Sequence, residues 1–385
     1  GALVTHKFLQ GLDNQFSLDW SGYFIDLVAL SLVSDSMIMS EMENREYYHF
    51  GLETRDCVNN EFLGAMIDRF IGNDTYTQRD LGFKIIPKLN SVCRCSDIEL
   101  KQQLILAFIG QCDINETLDM VEQAHQNQIK IVDGVIQNNI DTILSCGQNN
   151  LIVFASDDVP RSYSGLLAGK IKTLCDNKPT IVGSIKDDIM IGSLRSPIPL
   201  REELDNNELV DWASGHEESC GVQIQVDNIQ ALVDYYNTIE ISYTPHIDVL
   251  KSYSIKSIPT RLFGLFEPYS ALWGCGVNKP KFYIKNITFI PSDWSIMGKN
   301  KRTLKLHKEG IDIMIFNCLK KDKEDLQLGY YENDIFVSDP SNNKLQMDCV
   351  GELSVNEWNG QKKFQIVVDK MEIRCYNKPC KDDLF

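Results

Sequence analysis

Nowhere in the 385 residues does an apolar stretch run on for about 18 positions without a charge, which excludes a hydropathic membrane-crossing helix. The opening residues, GALVTHKF, have neither the basic start nor the apolar centre of a secretion signal, so the expectation is a soluble chain that is not exported. A basic excess is lacking too. Thirty-eight Lys and Arg stand against 54 Asp and Glu, a formal charge of −16. A surface of that sign does not bind polyanions as a whole, because such binding draws on phosphate neutralisation and counter-ion release. Any nucleic-acid path must therefore be local. Zinc spacing is also missing: of twelve cysteines only Cys93/Cys95 and Cys375/Cys380 sit close together, without CxxC pairs or nearby histidines. Scattered along so long a chain, they read as reduced intracellular thiols. There is no internal repeat and no low-complexity tract. The GxG at Gly274–Gly276 lacks a surrounding strand–helix unit and reads as a turn.

What the chain does contain is enough apolar residues, 43%, for two or three cores, so several domains are expected. The start looks like an amphipathic helix through Phe8, Leu9 and Leu12. A nearly continuous apolar run, Ile25 to Val33, then ends in Ser34-Asp35-Ser36 and reads as a buried element that stops at a polar site. From Ile98 to about Ile143 apolar residues recur at helical spacing with little Pro or Gly, predicting two helices, the second a connector. LIVFAS (151–156), SGLLAGKIKTLC (164–175), PTIVGSI (179–185) and DIMIGSL (188–194) alternate strand, helix, strand, strand, a small α/β domain with its own sheet. After about Asp248 short strands follow one another without helices, which suggests a small barrel or sandwich. Here the charge reverses locally. Between Lys279 and Lys323 eleven Lys/Arg face four acids and alternate with Phe282, Tyr283, Phe289, Trp294 and Phe316. That mixture suits phosphate tracking with base stacking, although strand alternation requires about half of the aromatics to be core.

Several segments occur in an order that carries a resemblance. Asp26-Leu27-Val28-Ala29-Leu30, Val33-Ser34-Asp35, Glu43-Asn44-Arg45 and Gly51-Leu52 form the first group, and Phe83–Arg94 (FKIIPKLNSVCR) the second. Ser164–Ala168, Pro179–Val182, Gly192-Ser193-Leu194-Arg195-Ser196 and Gly215-His216-Glu217-Glu218-Ser219-Cys220-Gly221 form the third. Glu267-Pro268-Tyr269, Gly274–Pro280 and Met297-Gly298-Lys299 follow. Together they resemble the RecJ-like exonucleases of the DHH/DHHA1 phosphoesterase superfamily from residue 1 to about 320. The departures are Lys88 for an arginine, Cys93 for a glycine and Leu194 for a glycine. No Asp-His-His triplet and no Asp-x-Asp before Asp35 occurs, so the sequence is expected to start inside the DHH domain, and this chain alone is expected to be inactive.

The resemblance implies an α/β multidomain fold. Residues 1–97 would be the C-terminal part of a DHH catalytic domain, 98–145 a helical connector, 146–245 a DHHA1 substrate-binding domain, and 246–385 an OB-like β-barrel with C-terminal strands. It implies a metal-dependent phosphodiester hydrolase that degrades single-stranded DNA from the 5′ end, releasing mononucleotides, in DNA repair or recombination, in a bacterial or phage-encoded cytoplasmic protein. Cleaving a phosphodiester at neutral pH calls for an activated water and a stabilised leaving oxygen, which paired divalent ions supply. Mn²⁺ or Mg²⁺ on carboxylates and imidazoles fits that task. Asp35 is the implied metal ligand and catalytic residue, with Asp26 the alternative; a lone Asp after an apolar run is otherwise an ordinary cap. Ser193 and Arg195, two apart on an extended segment, would share a face and grip one phosphate by hydroxyl and guanidinium. His216, beside Gly215, is the implied histidine near the scissile bond. Lys88, Asn90 and Arg94 would line the nucleotide path, the plain alternative being a solvated loop. Lys299, Lys301 and Arg302 would contact DNA on the barrel. Two rival readings remain: a non-catalytic single-strand-binding scaffold, and a phosphodiesterase acting on short oligonucleotides.

Overall fold

The computed structural model describes residues 1–72, 76–239, 247–298, 301–316, 318, 320–332, 335–358 and 361–375. Two compact units divide them: residues 1–36 with 46–245, and residues 37–45 with 246–385.

The first unit opens with helices. Ala2–Phe16 is helical as its spacing predicts, but its buried residues are His6 and Asp13, while Phe8 is exposed. The run Ile25–Ser34 is a helix with Asp26, Val28, Ala29, Leu30 and Leu32 buried. The segment FKIIPKLNSVCR, read as a possible loop, is helical instead. A π-helical turn, Leu81–Ile85, leads into the α-helix Ile86–Cys95 with Pro87 at its start. Proline has no N–H, and its ring collides with the carbonyl four residues back, so a widened turn just before it keeps the helix running. The 98–143 stretch resolves into Ile98–Phe108, the 25-residue Ile114–Asn138 and a short Ile140–Cys146.

The α/β part follows: strands β1 (Ile152–Ala155), β2 (Thr180–Lys186), β3 (Ile189–Arg195), β4 (Trp212–His216) and β5 (Ser219–Gln225). They form one sheet in the order β1-β2-β3-β5-β4, with β1 parallel to β2 and the other pairs antiparallel. Burial alternates strictly along β3 and β5. Ile181, Met190, Leu194, Cys220, Val222 and Ile224 face a core shared with Leu232, Val233 and Tyr236. On the opposite face the helix Ser164–Leu174 lays Leu167, Ala168 and Ile171, all fully buried, against Val182. Each buried Leu or Ile there contributes roughly 1.5–3 kcal/mol, enough to fix where the helix begins.

The second unit is a seven-stranded sheet of β6 (Lys251–Ser254), β7 (Lys281–Phe289), β8 (Trp294–Met297), β9 (Thr303–Lys308), β10 (Ile311–Ile315), β13 (Leu345–Trp358) and β14 (Gln361–Cys375). Their order is β6-β7-β13-β14-β10-β9-β8; β11 (Gly329–Glu332) and β12 (Ile335–Ser338) pair separately. Two expectations need correction. The strands are not all short, since β13 and β14 make a hairpin of 14 and 15 residues. Nor is the region free of helices: Arg261–Leu265 and Lys320–Asp325 are helical. The alternation argument holds for the aromatics, with Phe282, Phe289 and Trp294 buried and Tyr283 and Phe316 not. The Glu43-Asn44-Arg45 motif is structural here. Asn44 donates to the Ile38 carbonyl at 3.0 Å, and Arg45 donates to the Met39 carbonyl through Nε and Nη2 at 3.0 and 2.7 Å. Gly274–Val277 is a tight turn, closed by reciprocal backbone hydrogen bonds.

Candidate functional site

Register and alternation bring the separate motifs of the α/β part together. Ser193 pairs with Gly221, Gly221 with Ser214, and Ser219 with His216. Because strand side chains alternate, Arg195, Ser193, Ser219, Gly221, Ser214 and His216 all lie on the face that also carries the Ser164–Leu174 helix. That helix begins directly over β3. A Cβ added to Gly165 would come within 2.6 Å of the Arg195 guanidinium and 3.5 Å of Ser193 Oγ, so only glycine leaves this arginine its place. Ser164 is buried, and its Oγ lies 2.9 Å from Ser193 Oγ and 3.0 Å from the Arg161 carbonyl. Since the single proton on Ser164 goes to that carbonyl, Ser193 donates to Ser164. A ligand oxygen would have to draw the Ser193 proton away. No side chain caps the helix start; the 3₁₀ turn Arg161–Tyr163 leads directly into it, and the Arg161 carbonyl accepts from the Ser164 N–H.

Arg195 carries the charge of this pocket. One Nη donates to the Leu194 carbonyl at 2.7 Å, and no carboxylate is paired with the guanidinium among the described residues. Burial, and then repulsion from Arg94, push its pKa below the ordinary arginine value. The side chain stays a cation. Two arginines, one half-buried, beside a helix start and two hydroxyls make a locally positive site. Arg94 sits exposed in the last turn of Ile86–Cys95.

The remaining expected residues fall into distinct settings. Lys88 is 11% exposed, ion-paired with Glu122 and 4.6 Å above the Phe70 ring; it is a packed ion pair on a helix rather than an open loop cation. Asn90 is half-buried on the same helix. Gly215 has φ 136°, and an added Cβ would lie 3.0 Å from Cys220 Cα. That backbone turns β4 into the two-residue Glu217-Glu218 loop and leaves His216 exposed at its tip. The loop is clamped in place. Arg201 bonds the Glu217 carboxylate and holds its pKa below the usual range, and the Glu217 carbonyl accepts from Leu200 and Arg201.

Asp35 ends the Ile25–Ser34 helix, exposed, its backbone N–H bonded to the Ser31 carbonyl at 2.9 Å. Asp26 is fully buried. Its Oδ1 accepts from the Leu27 N–H at 2.8 Å and its Oδ2 from the Asn60 N–H at 2.7 Å. Burial raises its pKa against those backbone donors. With both oxygens engaged by amides, Asp26 ties its helix to the start of the helix Glu61–Phe70. No group of three or more His, Cys, Asp or Glu that could hold a metal ion occurs among the described residues, so Asp35 alone does not make a metal centre. On the second unit Lys301 and Arg302 are exposed just before β9, while Lys299 lies outside the described residues. Much of the basic stretch is neutralised locally. Lys281 pairs with Asp369, Lys305 with Asp312 and Lys308 with Asp293. Lys323 is buried, bonded to the Tyr331 hydroxyl at 3.2 Å and 4.7 Å from the Phe336 ring.

Residues 264–370 match the family model for the RecJ OB domain. YorK of Bacillus subtilis strain 168, an SPbeta prophage-derived protein named as a single-strand DNA-specific exonuclease, is 23% identical over 97% of this chain and 68% of its own length. The single-stranded-DNA-specific exonuclease RecJ of the same strain is 23% identical over 96% of this chain and 47% of its own. The crystal structure of RecJ from Thermus thermophilus in complex with Mn²⁺ superposes with a TM-score of 0.71, at 17% identity, over 96% of this chain and 52% of that one. The chain is a RecJ-like protein. It spans about half the length of the RecJ proteins it matches. The same fold is seen for the Thermus thermophilus RecJ with Mg²⁺, at a TM-score of 0.68. Sequence reasoning selected Ser193, Arg195, Gly215 and His216. It missed Ser214 and Trp212 of this RecJ-like chain, which reach the same face only through strand register. The signal that could have found them is the period of two along WASGH.

Proposed function

We propose that this chain acts in a metal-dependent exonuclease that degrades single-stranded DNA from its 5′ end and releases mononucleotides, in DNA repair or recombination. The pocket of Arg195, Ser193, Ser164 and the helix start at Gly165 carries this reading. A half-buried guanidinium with no carboxylate partner among the described residues, beside two hydroxyls, suits a terminal phosphate dianion, by charge-assisted hydrogen bonds. Gripping the 5′ phosphate fixes the register of the strand, so that cleavage falls at a constant distance from the end. His216, at the tip of the clamped β4–β5 loop, would meet the strand near the bond to be cut, and Asn90 and Arg94 would track its backbone. Residues 1–97 would belong to a DHH catalytic domain, 98–145 to a connector and 146–245 to a DHHA1 domain. Residues 246–385 would hold the barrel and C-terminal strands, with Lys301 and Arg302 on the strand's path.

Divalent metal belongs to the proposal through Asp35 and through relatives crystallised with Mn²⁺ and Mg²⁺. One carboxylate is not a ligand set, and no group of three or more potential ligands occurs among the described residues. The test is digestion of 5′-labelled single- and double-stranded DNA with Mn²⁺ by the protein, beside its Asp35→Ala and Arg195→Ala variants. Degradation of single strands only, abolished by Asp35→Ala, is the expected result. Binding without cleavage under Mn²⁺ and Mg²⁺ would replace the nuclease with a single-strand-binding scaffold.

A further inference from the structure

Beyond the phosphate pocket the same sheet face continues onto the edge strand β4, where it presents an aromatic ring. Trp212 is 36% exposed, although a tryptophan in a sheet of this size would normally be covered. It is not loosely placed. Its Nε1 donates to Gln223 Oε1 at 3.1 Å, and the Gln223 amide in turn donates to Asp211 Oδ2 at 3.1 Å, so two bonds in series fix the ring's rotation. The benzo edge lies over Gly221, where an added Cβ would meet the ring carbons at 3.2 and 3.3 Å. Glycine at 221 thus lets the indole lie close to the sheet, over the position between Ser193 and Ser214.

Register sets the distance from the pocket. Ser193 pairs with Gly221 and Gln223 pairs with Trp212, two strands across and one same-face step along. With strands about 4.8 Å apart and same-face residues about 6.7 Å apart, the Cα atoms of Ser193 and Trp212 are separated by about 12 Å. The indole reaches back over Gly221, so the first nucleotides of a strand anchored by its end at Arg195 would pass the ring, which offers a planar apolar surface that every base can stack on.

We propose that Trp212 is a stacking platform for an unpaired nucleobase close to the phosphate-bearing end of the bound strand. It is a binding and positioning residue whose ring lies next to the phosphate site, over Gly221, the β5 partner of Ser193. The inference rests on the single-strand reading above, and its test separates the two. Affinities of the 385-residue chain would be measured by fluorescence anisotropy for 5′-phosphorylated single-stranded oligonucleotides in which an abasic residue is moved one position at a time from the 5′ end. Wild-type protein should lose roughly tenfold in affinity at one abasic position near the end. Trp212→Ala should show that loss on the intact oligonucleotide and no further loss at the abasic position; Trp212→Phe should keep both the affinity and the positional dependence. A merely structural tryptophan would weaken all oligonucleotides alike and leave the positional dependence in place. Phosphate-dependent binding that ignores both the abasic scan and Trp212→Phe or Trp212→Ala would overturn the stacking role and leave the phosphate pocket standing. Absence of any preference for the 5′ phosphate would instead remove the reading on which the stacking role rests.

Discussion

At the scale of single residues, the site depends on a missing side chain as much as on those present. Gly165 is where the arginine passes, and a methyl group there would press on the end of a flexible guanidinium rather than on backbone. Gly165→Ala should therefore leave the melting temperature within a degree or two, because the side chain can swing aside, while weakening the preference for a phosphorylated 5′ end roughly tenfold. Oligonucleotide affinities and thermal melts of the two proteins check both halves. Ser193 and Arg195 were singled out by the resemblance, and period-two alternation along one strand put them on a common face. Trp212 was not legible, since its exposure depends on Gly221 and Gln223 of the neighbouring strand and on Asp211 in a loop. Lys88 misled for the same kind of reason: its charge is taken up by Glu122, 34 positions away on another helix.

Among the elements, the local period carried most of the fold, and buried charge carried what it did not. β1, β2, β3 and the helix Ser164–Leu174 fall within a residue or so of their expected bounds. The helix Lys320–Asp325 escaped notice because KKDKED reads as a solvated charge run, and only the fold buries Lys323 against Tyr331 and Phe336. Asp312 is a comparable case on β10. It is buried between Lys305 at 2.6 Å and His307 at 2.6 Å. Burial raises its pKa, but these two neighbours outweigh burial and leave it below the ordinary carboxylate value. A depressed folded pKa means that the group stabilises the fold above its unfolded value of about 3.9, and that this contribution is lost as pH falls through the lower folded value. Asp312→Asn should cost about 1–3 kcal/mol at neutral pH and flatten the acid limb of the stability curve. Urea titrations of both proteins from neutral pH into the acid range would show it; parallel curves would deny the ion pairs any role. Asp26 has the opposite sign, its raised pKa favouring the fold below the unfolded value and ceasing to do so as pH rises through the folded one.

For the whole molecule, the charge of −16 and a candidate DNA path coexist because the positive groups are few and placed locally. Composition showed that any such path had to be local, but it overstated the basic stretch, because Lys281, Lys305 and Lys308 are spent on Asp369, Asp312 and Asp293. Lys301 and Arg302 are exposed, so Lys301→Ala with Arg302→Ala should reduce the slope of log affinity against log salt by about 1–2 while leaving end preference intact. Salt titrations of single-strand binding read this directly. End recognition rests on Arg195, which has no carboxylate partner among the described residues. Its most direct test is the ratio of affinities of the 385-residue chain for 5′-phosphorylated and 5′-hydroxyl single strands of the same sequence, for the wild type and Arg195→Ala. The pocket predicts on the order of tenfold or more in favour of the phosphate for the wild type, and none for the variant. Equal affinities in the wild type, or a preference that survives Arg195→Ala, would contradict it.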